Sequence, residues 1–207
     1  TQSALLEAMQ ERCVTVAGNT RVLSDPFMVV ATQNPIEQEG TYPLPEAQLD
    51  RFMISLELTY PSRMEEIEIV HATTGDLASS INTVISMEEL LDIQRIVRSV
   101  PVSQHVVEYA VDLTGATRPD CDKPSKTAQE LIEWGAGPRA SQNLILAAKV
   151  NAVLKGKASP ETEDVREVAL HVLQHRIVPN YKATGLGHSN TEIIKEIIKS
   201  VKESDYN

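Results

Sequence analysis

The feature that most constrains the fold is an apolar run over residues 27–31 that leads into the polar tip Gln33-Asn34-Pro35. Such an uninterrupted, Val-rich run is typical of a strand that is buried on both faces of a parallel sheet. A second apolar run, residues 52–58, follows a short helical turn that starts at Pro45. Because ligands of open α/β sheets bind beyond the carboxyl ends of the strands, the polar tip is predicted to lie beside a binding site.

The chain changes character near Tyr60-Pro61-Ser62. Before this break the pattern predicts a helix over residues 1–11, a β-hairpin over 14–22 around a Gly-Asn turn, and two principal strands over 27–32 and 52–58. After it, apolar residues recur at helical spacing, and Ser86 opens a capping box with Glu89. The predicted helices cover residues 63–73, 86–100, 104–117, 138–155, a segment opened by Ser159 as N-cap with Pro160 at the first helical position, and 193–201. Residues 119–126 and 181–189 are predicted to be loops.

Two motifs resemble one protein family. Residues 31–35 and 37–52 resemble the MoxR family of AAA+ ATPases nearly residue for residue, and Gly135-Ala136-Gly137-Pro138-Arg139-Ala140 resembles the second sensor of that family. The resemblance implies an α/β + α fold, namely the C-terminal part of an AAA+ P-loop αβα core followed by an α-helical lid bundle. It divides the chain into core (1–60), connecting helices (61–136) and lid (137–207).

Two motifs of an ATPase site are absent from the 207 residues. There is no G-x-x-x-x-G-K-[ST] phosphate loop, and no apolar strand ends in a paired Asp-Glu that could hold a magnesium ion. The family carries both further upstream, and residues 1–11 resemble the helix that follows its acidic strand. We therefore expect a C-terminal portion that is inactive alone. ATP and Mg²⁺ would serve the intact protein, with the Mg²⁺ ligands upstream and none in this chain.

Asn34 is the first candidate catalytic residue. A neutral amide can donate to a phosphate oxygen while it accepts from the attacking water, and it adds no negative charge beside the phosphate. The resemblance makes Asn34 the first sensor. The alternative is that Asn34 only opens a turn before Pro35.

Two arginines complete the candidate site. Arg51 follows the helical turn and is expected to project from the rim of the sheet; by resemblance it is the arginine finger, which acts in trans on a neighbouring subunit. The alternative is a weak surface ion pair with Asp50 or Glu46. Arg139 lies in the first turn of a helix, where a cation is unfavourable unless an anion is bound. By resemblance it is the second sensor, contacting phosphate in cis or in trans; the alternative is an exposed arginine.

Charge and cysteine usage restrict the partners and the compartment. The net charge of −10 argues against a dedicated nucleic-acid binder. No segment reaches the roughly 20 apolar residues needed to cross a bilayer. Cys13 and Cys121 do not form a disulfide framework, so they are interpreted as reduced thiols of a cytoplasmic protein.

The resemblance implies a ring oligomer, expected to be a hexamer. ATP hydrolysis there would drive chaperone-like remodelling, maturation or metal-cofactor loading of partners that bear von Willebrand factor A domains. A non-catalytic assembly or regulatory module is the second hypothesis, since the phosphate loop is missing. A helicase-like motor is the third, and we expect DNA not to stimulate hydrolysis.

Three other patterns are weaker. His171 and His175 lie four apart on a predicted helix but lack the Glu of H-E-x-x-H, so a solvent-facing or capped pair is the favoured interpretation. Glu37 and Glu39 could hold a metal or a neighbour's lysine, although such loop glutamates are usually solvated. The hairpin with Arg21 is either a contact to a substrate protein or a plain edge hairpin.

Overall fold

The computed structural model describes residues 2–33, 44–75 and 82–203. The N-terminal part begins with α1 (Gln2–Glu11), which packs on an antiparallel hairpin of β1 (Cys13–Val16) and β2 (Asn19–Val22). Glu7 links the two, because its Oε1 accepts from the Thr15 hydroxyl at 2.6 Å and its Oε2 from the Thr15 N–H at 3.1 Å. The structure thus confirms the predicted N-terminal helix and the predicted β-hairpin.

The hairpin turn differs from the prediction by one residue. Val16 pairs with Asn19, so the two-residue loop is Ala17-Gly18 rather than Gly18-Asn19. Both loop residues have positive φ, 51° at Ala17 and 78° at Gly18. Positive φ at both central positions is what a type I′ turn requires to match the twist of the flanking strands, and glycine adopts it at little cost.

The two principal strands predicted over residues 27–32 and 52–58 are wrong for the structure as described. Both segments lack strand assignment, and the described residues offer neither of them a ladder partner. Their side chains are far from buried: Met28 is 80%, Val30 76% and Leu58 91% exposed. An apolar run becomes a strand only where a neighbouring strand takes up its backbone hydrogen bonds. The helical turn between them is present as α2 (Glu46–Leu49), with Pro45 as its N-cap.

Helices predominate among the described residues after residue 61. The elements there are α3 (Arg63–Thr74), α4 (Met87–Ser99), α5 (Gln104–Gly115), α6 (Lys126–Leu131), β3 (Ile132–Trp134), α7 (Pro138–Leu154), α8 (Thr162–Leu173), β4 (Val178–Pro179), α9 (Tyr181–Leu186) and α10 (Asn190–Ser200). The predicted helices are all present. The capping box of α4 is also confirmed, because the Ser86 N–H donates to Glu89 at 2.7 Å and the Glu89 N–H donates back to the Ser86 hydroxyl at 3.2 Å.

Two local predictions are corrected. Helix α8 begins at Thr162 with Glu161 as N-cap, not at Ser159-Pro160. The buried Asp164 accepts from the Glu161 N–H at 2.9 Å and so fixes the start of the helix there. Within the segment predicted as a loop over 181–189, α9 forms because Asn180 caps its N-terminus and Gly187 ends it in the left-handed conformation, with φ of 75°.

One hydrophobic core joins α5, α6, α7, α8, α9 and α10. Its largest fully buried apolar side chains include Leu113, Leu144, Leu173 and Ile194. The core therefore unites helices from both sides of residue 137, and the three-part division of the chain stays a prediction. Within the described ranges, no helix combines the length and the apolar character that crossing a membrane requires.

Candidate functional site

Two of the three predicted site residues line one cavity. This cavity of about 370 Å³ is bounded by Met9, Gln10, Glu11, Arg51 and Arg139. Arg51 comes from the turn after α2, and Arg139 is the second residue of α7. Residues that are 88 positions apart in sequence thus meet at the end of α1. The third predicted residue, Asn34, lies outside the described residues, as do Glu37 and Glu39.

Arg51 retains unused hydrogen-bonding capacity. Its Nε is buried and has no hydrogen-bond partner in the described part of the chain. When the Gln10 amide is oriented with its oxygen toward Arg51, that oxygen accepts from both terminal nitrogens, Nη2 at 2.8 Å. Among the described residues Arg51 forms no ion pair, so the predicted alternative of a pair with Asp50 or Glu46 is absent there.

Arg139 is paired with a carboxylate. Its Nη1 lies 2.5 Å from Asp50 Oδ2, and its side chain is 44% exposed. The other carboxylate oxygen, Asp50 Oδ1, accepts from Arg176 Nε at 2.9 Å. Asp50 therefore lies between two guanidinium groups. Counting the carboxylates of Asp50 and Glu11 against the three arginines, positive charge is in excess beside the cavity.

Arg176 was not predicted from the sequence. Its side chain is 1% exposed, and its Nη2 donates to the carbonyls of Asp50 at 3.0 Å and Phe52 at 2.5 Å. Nη1 donates to the carbonyls of Met53, at 3.2 Å, and Val172. Burial lowers the pKa of Arg176, and the hydrogen bond to Asp50 opposes this effect. Arg176 follows two polar residues, Gln174 and His175, just after the end of α8, and nothing in this local sequence sets it apart as a site residue.

Further hydrogen bonds attach residues 50–55 to the end of α8. The Ser55 N–H donates to the His171 carbonyl at 2.8 Å, and Gln174 Nε2 donates to the Ser55 carbonyl at 2.5 Å. His175 Nε2 lies 3.0 Å from the Phe52 carbonyl, and burial lowers the pKa of this histidine. The prediction was a solvent-facing or capped pair of histidines. His171 is exposed, whereas His175 is half-buried against this segment and bound to a main-chain carbonyl rather than solvent-facing.

The turn before α7 is held against the end of α5. The Ala136 N–H donates to Thr117 Oγ1 at 2.9 Å, and Arg118 Nε donates to the Ala136 carbonyl at 2.8 Å. A Cβ on Gly135 would lie 2.4 Å from the Thr117 carbonyl oxygen, so only glycine fits here. This close approach fixes the start of α7, and with it the position of Arg139.

The cavity has the chemistry of an anion site. It combines an unpartnered buried arginine nitrogen, a second arginine and the N-terminus of the 17-residue helix α7. Arginine forks and free helix N–H groups suit phosphate oxygens, so the residues present fit the terminal phosphate of a nucleotide. A metal ion has no comparable place in the described ranges, where no group of three or more His, Cys, Asp or Glu side chains could hold one.

Comparisons with known proteins cover most of the chain. Residues 1–54 match the family model described as "ATPase family associated with various cellular activities (AAA)", and residues 125–197 match the AAA lid domain. Chaperone MoxR1 of Mycobacterium tuberculosis is 40% identical over 200 residues, which cover 97% of this chain and 53% of that protein. The uncharacterized protein YeaC of Bacillus subtilis is 40% identical over 203 residues, covering 98% of this chain and 61% of that protein.

A solved structure agrees with these matches. The crystal structure of a candidate ATPase from Cytophaga hutchinsonii superposes with a TM-score of 0.91 at 39% identity, covering 99% of this chain and 62% of that one. The chain thus spans little more than half the length of its relatives. The matched AAA core and lid models, with relatives of 40% identity along nearly the whole chain, show that the chain belongs to the MoxR family of AAA+ ATPases.

Proposed function

We propose that Arg51 and Arg139 act together on the terminal phosphate of ATP bound to a neighbouring subunit, within a MoxR-type ATPase ring. The observation that carries this proposal is their shared cavity, in which Arg51 Nε lacks a partner among the described residues. If the two arginines face the same anion, the second sensor acts in trans like the finger. For the question of cis or trans action, which the sequence leaves open, we therefore propose a site shared between subunits.

Each arginine has a distinct part in this site. Arg51, held by neutral Gln10 rather than by a carboxylate, offers an unneutralised guanidinium that stabilises charge developing in phosphoryl transfer. Arg139 would keep Asp50 on Nη1 and offer its remaining donors to a phosphate oxygen, which its 44% exposure permits. When Mg-ATP is bound, the ATP would supply the phosphoryl group and the Mg²⁺ would neutralise part of the phosphate charge. The 207 residues contain no G-x-x-x-x-G-K-[ST] phosphate loop.

Asn34 belongs to the proposal on sequence grounds alone. Its place at the end of the apolar run and its resemblance to the first sensor favour a role in orienting the attacking water. The proposed setting is a cytoplasmic hexameric ring that remodels partner proteins or loads them with a metal cofactor, with von Willebrand factor A domain proteins as the partners. The family resemblance supports this setting, as does the description of one relative as a chaperone.

The test is Mg-ATP turnover by the natural protein that contains this chain. We expect Arg51→Ala to lower kcat by about 10³-fold or more while nucleotide affinity changes little, because the finger acts mainly in the transition state. The control is Arg95→Ala, which removes an arginine of α4 that is 74% exposed and, among the described residues, pairs with Asp92. Its turnover is expected to match that of the unmodified protein.

Subunit mixing separates trans from cis action. Arg51→Ala subunits mixed with subunits that lack the phosphate-loop lysine are expected to regain part of the activity, since each supplies what the other lacks. Absence of any rescue would contradict a shared site. Rings that assemble normally but never hydrolyse ATP would instead support the assembly-module hypothesis.

A further inference from the structure

We propose that Arg176 is a positioning residue, which places Arg51 and Arg139 toward one anion without touching that anion itself. The inference rests on the proposed function of the two arginines. It concerns the lid, because Arg176 lies just after α8 and is not among the residues that line the cavity.

The hydrogen bonds of Arg176 converge on the segment that carries Arg51. Nη2 binds the carbonyls of Asp50 and Phe52, the residues directly before and after Arg51. Nη1 binds the carbonyl of Met53. With the backbone fixed on both sides of Arg51, the direction in which its side chain leaves the chain is also fixed.

The carboxylate of Asp50 extends this control to Arg139. Oδ1 accepts from Arg176 Nε at 2.9 Å, and Oδ2 lies 2.5 Å from Arg139 Nη1. Arg176 thus reaches Arg51 through the main chain and Arg139 through one carboxylate. Both connections originate in a single guanidinium group.

The burial of Arg176 argues against a purely stabilising role. Its side chain is 1% exposed, and removing a charge from water is unfavourable, which pairing offsets only when the geometry is good. Apolar side chains of similar volume often stabilise such sites as well or better. Apolar side chains, however, have no hydrogen-bond donors. The donors of a guanidinium group lie in a rigid plane and can therefore fix a backbone segment and a carboxylate at the same time.

The test compares Arg176→Lys and Asp50→Asn in the natural protein that contains this chain. Lysine keeps the charge but loses the planar fork, and we expect kcat to fall by on the order of 10- to 100-fold, as for a displaced catalytic group, with little change in KM. The matched control is Arg166→Gln, which perturbs another lid arginine; it pairs with Glu163 and Glu203, and none of these three residues lines the cavity. It is expected to lower thermal stability while kcat stays the same.

Combined variants provide the readout that a merely structural role would not give. If Arg176 acts through Arg51 and Arg139, then adding Arg176→Lys to a protein that already carries Arg51→Ala and Arg139→Ala slows it no further, measured in single turnovers with radiolabelled ATP. Independent, multiplying losses would overturn the inference. If circular dichroism shows that Arg176→Lys does not fold, the Asp50→Asn variant decides. A kcat of Asp50→Asn equal to that of the unmodified protein overturns the inference. A kcat loss caused by Asp50→Asn in the unmodified protein but not in a protein that carries Arg139→Ala supports it.

The two proposals can fail separately. If Arg51→Ala leaves turnover unchanged, the proposed function is wrong. If Arg51→Ala abolishes turnover while Arg176→Lys and Asp50→Asn do not affect it, only the positioning role is wrong.

Discussion

The most sharply defined stability prediction concerns Asp164, which is fully buried at the start of α8. Its Oδ2 accepts from the Glu161 N–H at 2.9 Å and from Lys157 Nζ at 2.9 Å, and its Oδ1 lies 3.3 Å from Lys155 Nζ. The side chain of Lys155 is 38% exposed, and that of Lys157 is 32% exposed. One buried carboxylate therefore joins the end of α7 to the beginning of α8 through two ammonium groups that still reach water.

The change is Asp164→Asn, which keeps the shape and removes the charge. Breaking a buried ion pair costs about 3–5 kcal/mol, and we expect the lower end, about 3 kcal/mol, because both lysines can rehydrate and keep Glu161 and Glu167 as partners. For a chain of this size that corresponds to a fall in Tm of about 6–12 °C. The measurement is thermal and urea unfolding of the 207-residue chain by circular dichroism.

The pH dependence gives an independent check. Desolvation raises the pKa of Asp164, but the hydrogen bonds from the Glu161 N–H and from Lys157 and Lys155 outweigh it, so the pKa lies below its ordinary value. A lowered folded-state pKa contributes stability that is present above the unfolded value of about 4 and is lost as the pH falls through the folded value. The difference in unfolding free energy between the original protein and the Asp164→Asn variant is therefore expected to narrow below about pH 4.

The matched control is Asp92→Asn. Asp92 is 55% exposed and pairs with Arg95 at 2.7 Å on the surface of α4, so its loss is expected to cost less than about 1 kcal/mol. Equal effects of the two substitutions, or an Asp164→Asn protein within about 0.5 kcal/mol of the original, would refute the reasoning from burial.

Three further outcomes are expected. Gly135→Ala would force a Cβ to 2.4 Å from the Thr117 carbonyl oxygen, and we expect a loss of about 1–3 kcal/mol in unfolding free energy by urea titration, together with reduced turnover because Arg139 moves. Leu144→Ala empties a fully buried site in α7 and is expected to cost about 2–5 kcal/mol in the same titration. His175 has a pKa lowered by burial, so its contribution to stability is present above about pH 6.5 and is lost as the pH falls; His175→Gln is expected to flatten that part of the urea-midpoint profile.

Local patterns predicted most of the helical part. Helices α4 and α10 each begin at a serine that forms a capping box, with Glu89 and Glu192 respectively, and these signals depend on residues only three positions apart. The hairpin was predicted for the same reason, with its turn misplaced by one residue because both Gly18 and Asn19 tolerate positive φ. The first turn of α8 was misplaced because Ser159-Pro160 satisfies the local rule, whereas the buried Asp164 decides where the helix starts.

The candidate site was predictable only in part. Arg51 and Arg139 were found by resemblance, but nothing local shows that they share a cavity. Asp50 and Arg176 lie 126 residues apart, and their pairing depends on tertiary packing that no periodicity encodes. The expected strand over 52–58 failed for a related reason: its first residues give their backbone hydrogen bonds to the end of α8 rather than to a sheet.

The attachment of residues 50–55 to α8 has a consequence for mutational tolerance. At Phe52, Met53 and Ser55 the lid binds main-chain atoms, which every amino acid supplies except that proline lacks the N–H used at Ser55. Substitutions at these three positions leave those partners in place, whereas one substitution at Arg176 removes several of them together. The placement of Arg51 thus depends on a distant lid residue. Phe52, Met53 and Ser55 can vary beside it, whereas Asp50, whose carboxylate pairs with Arg139 and Arg176, cannot.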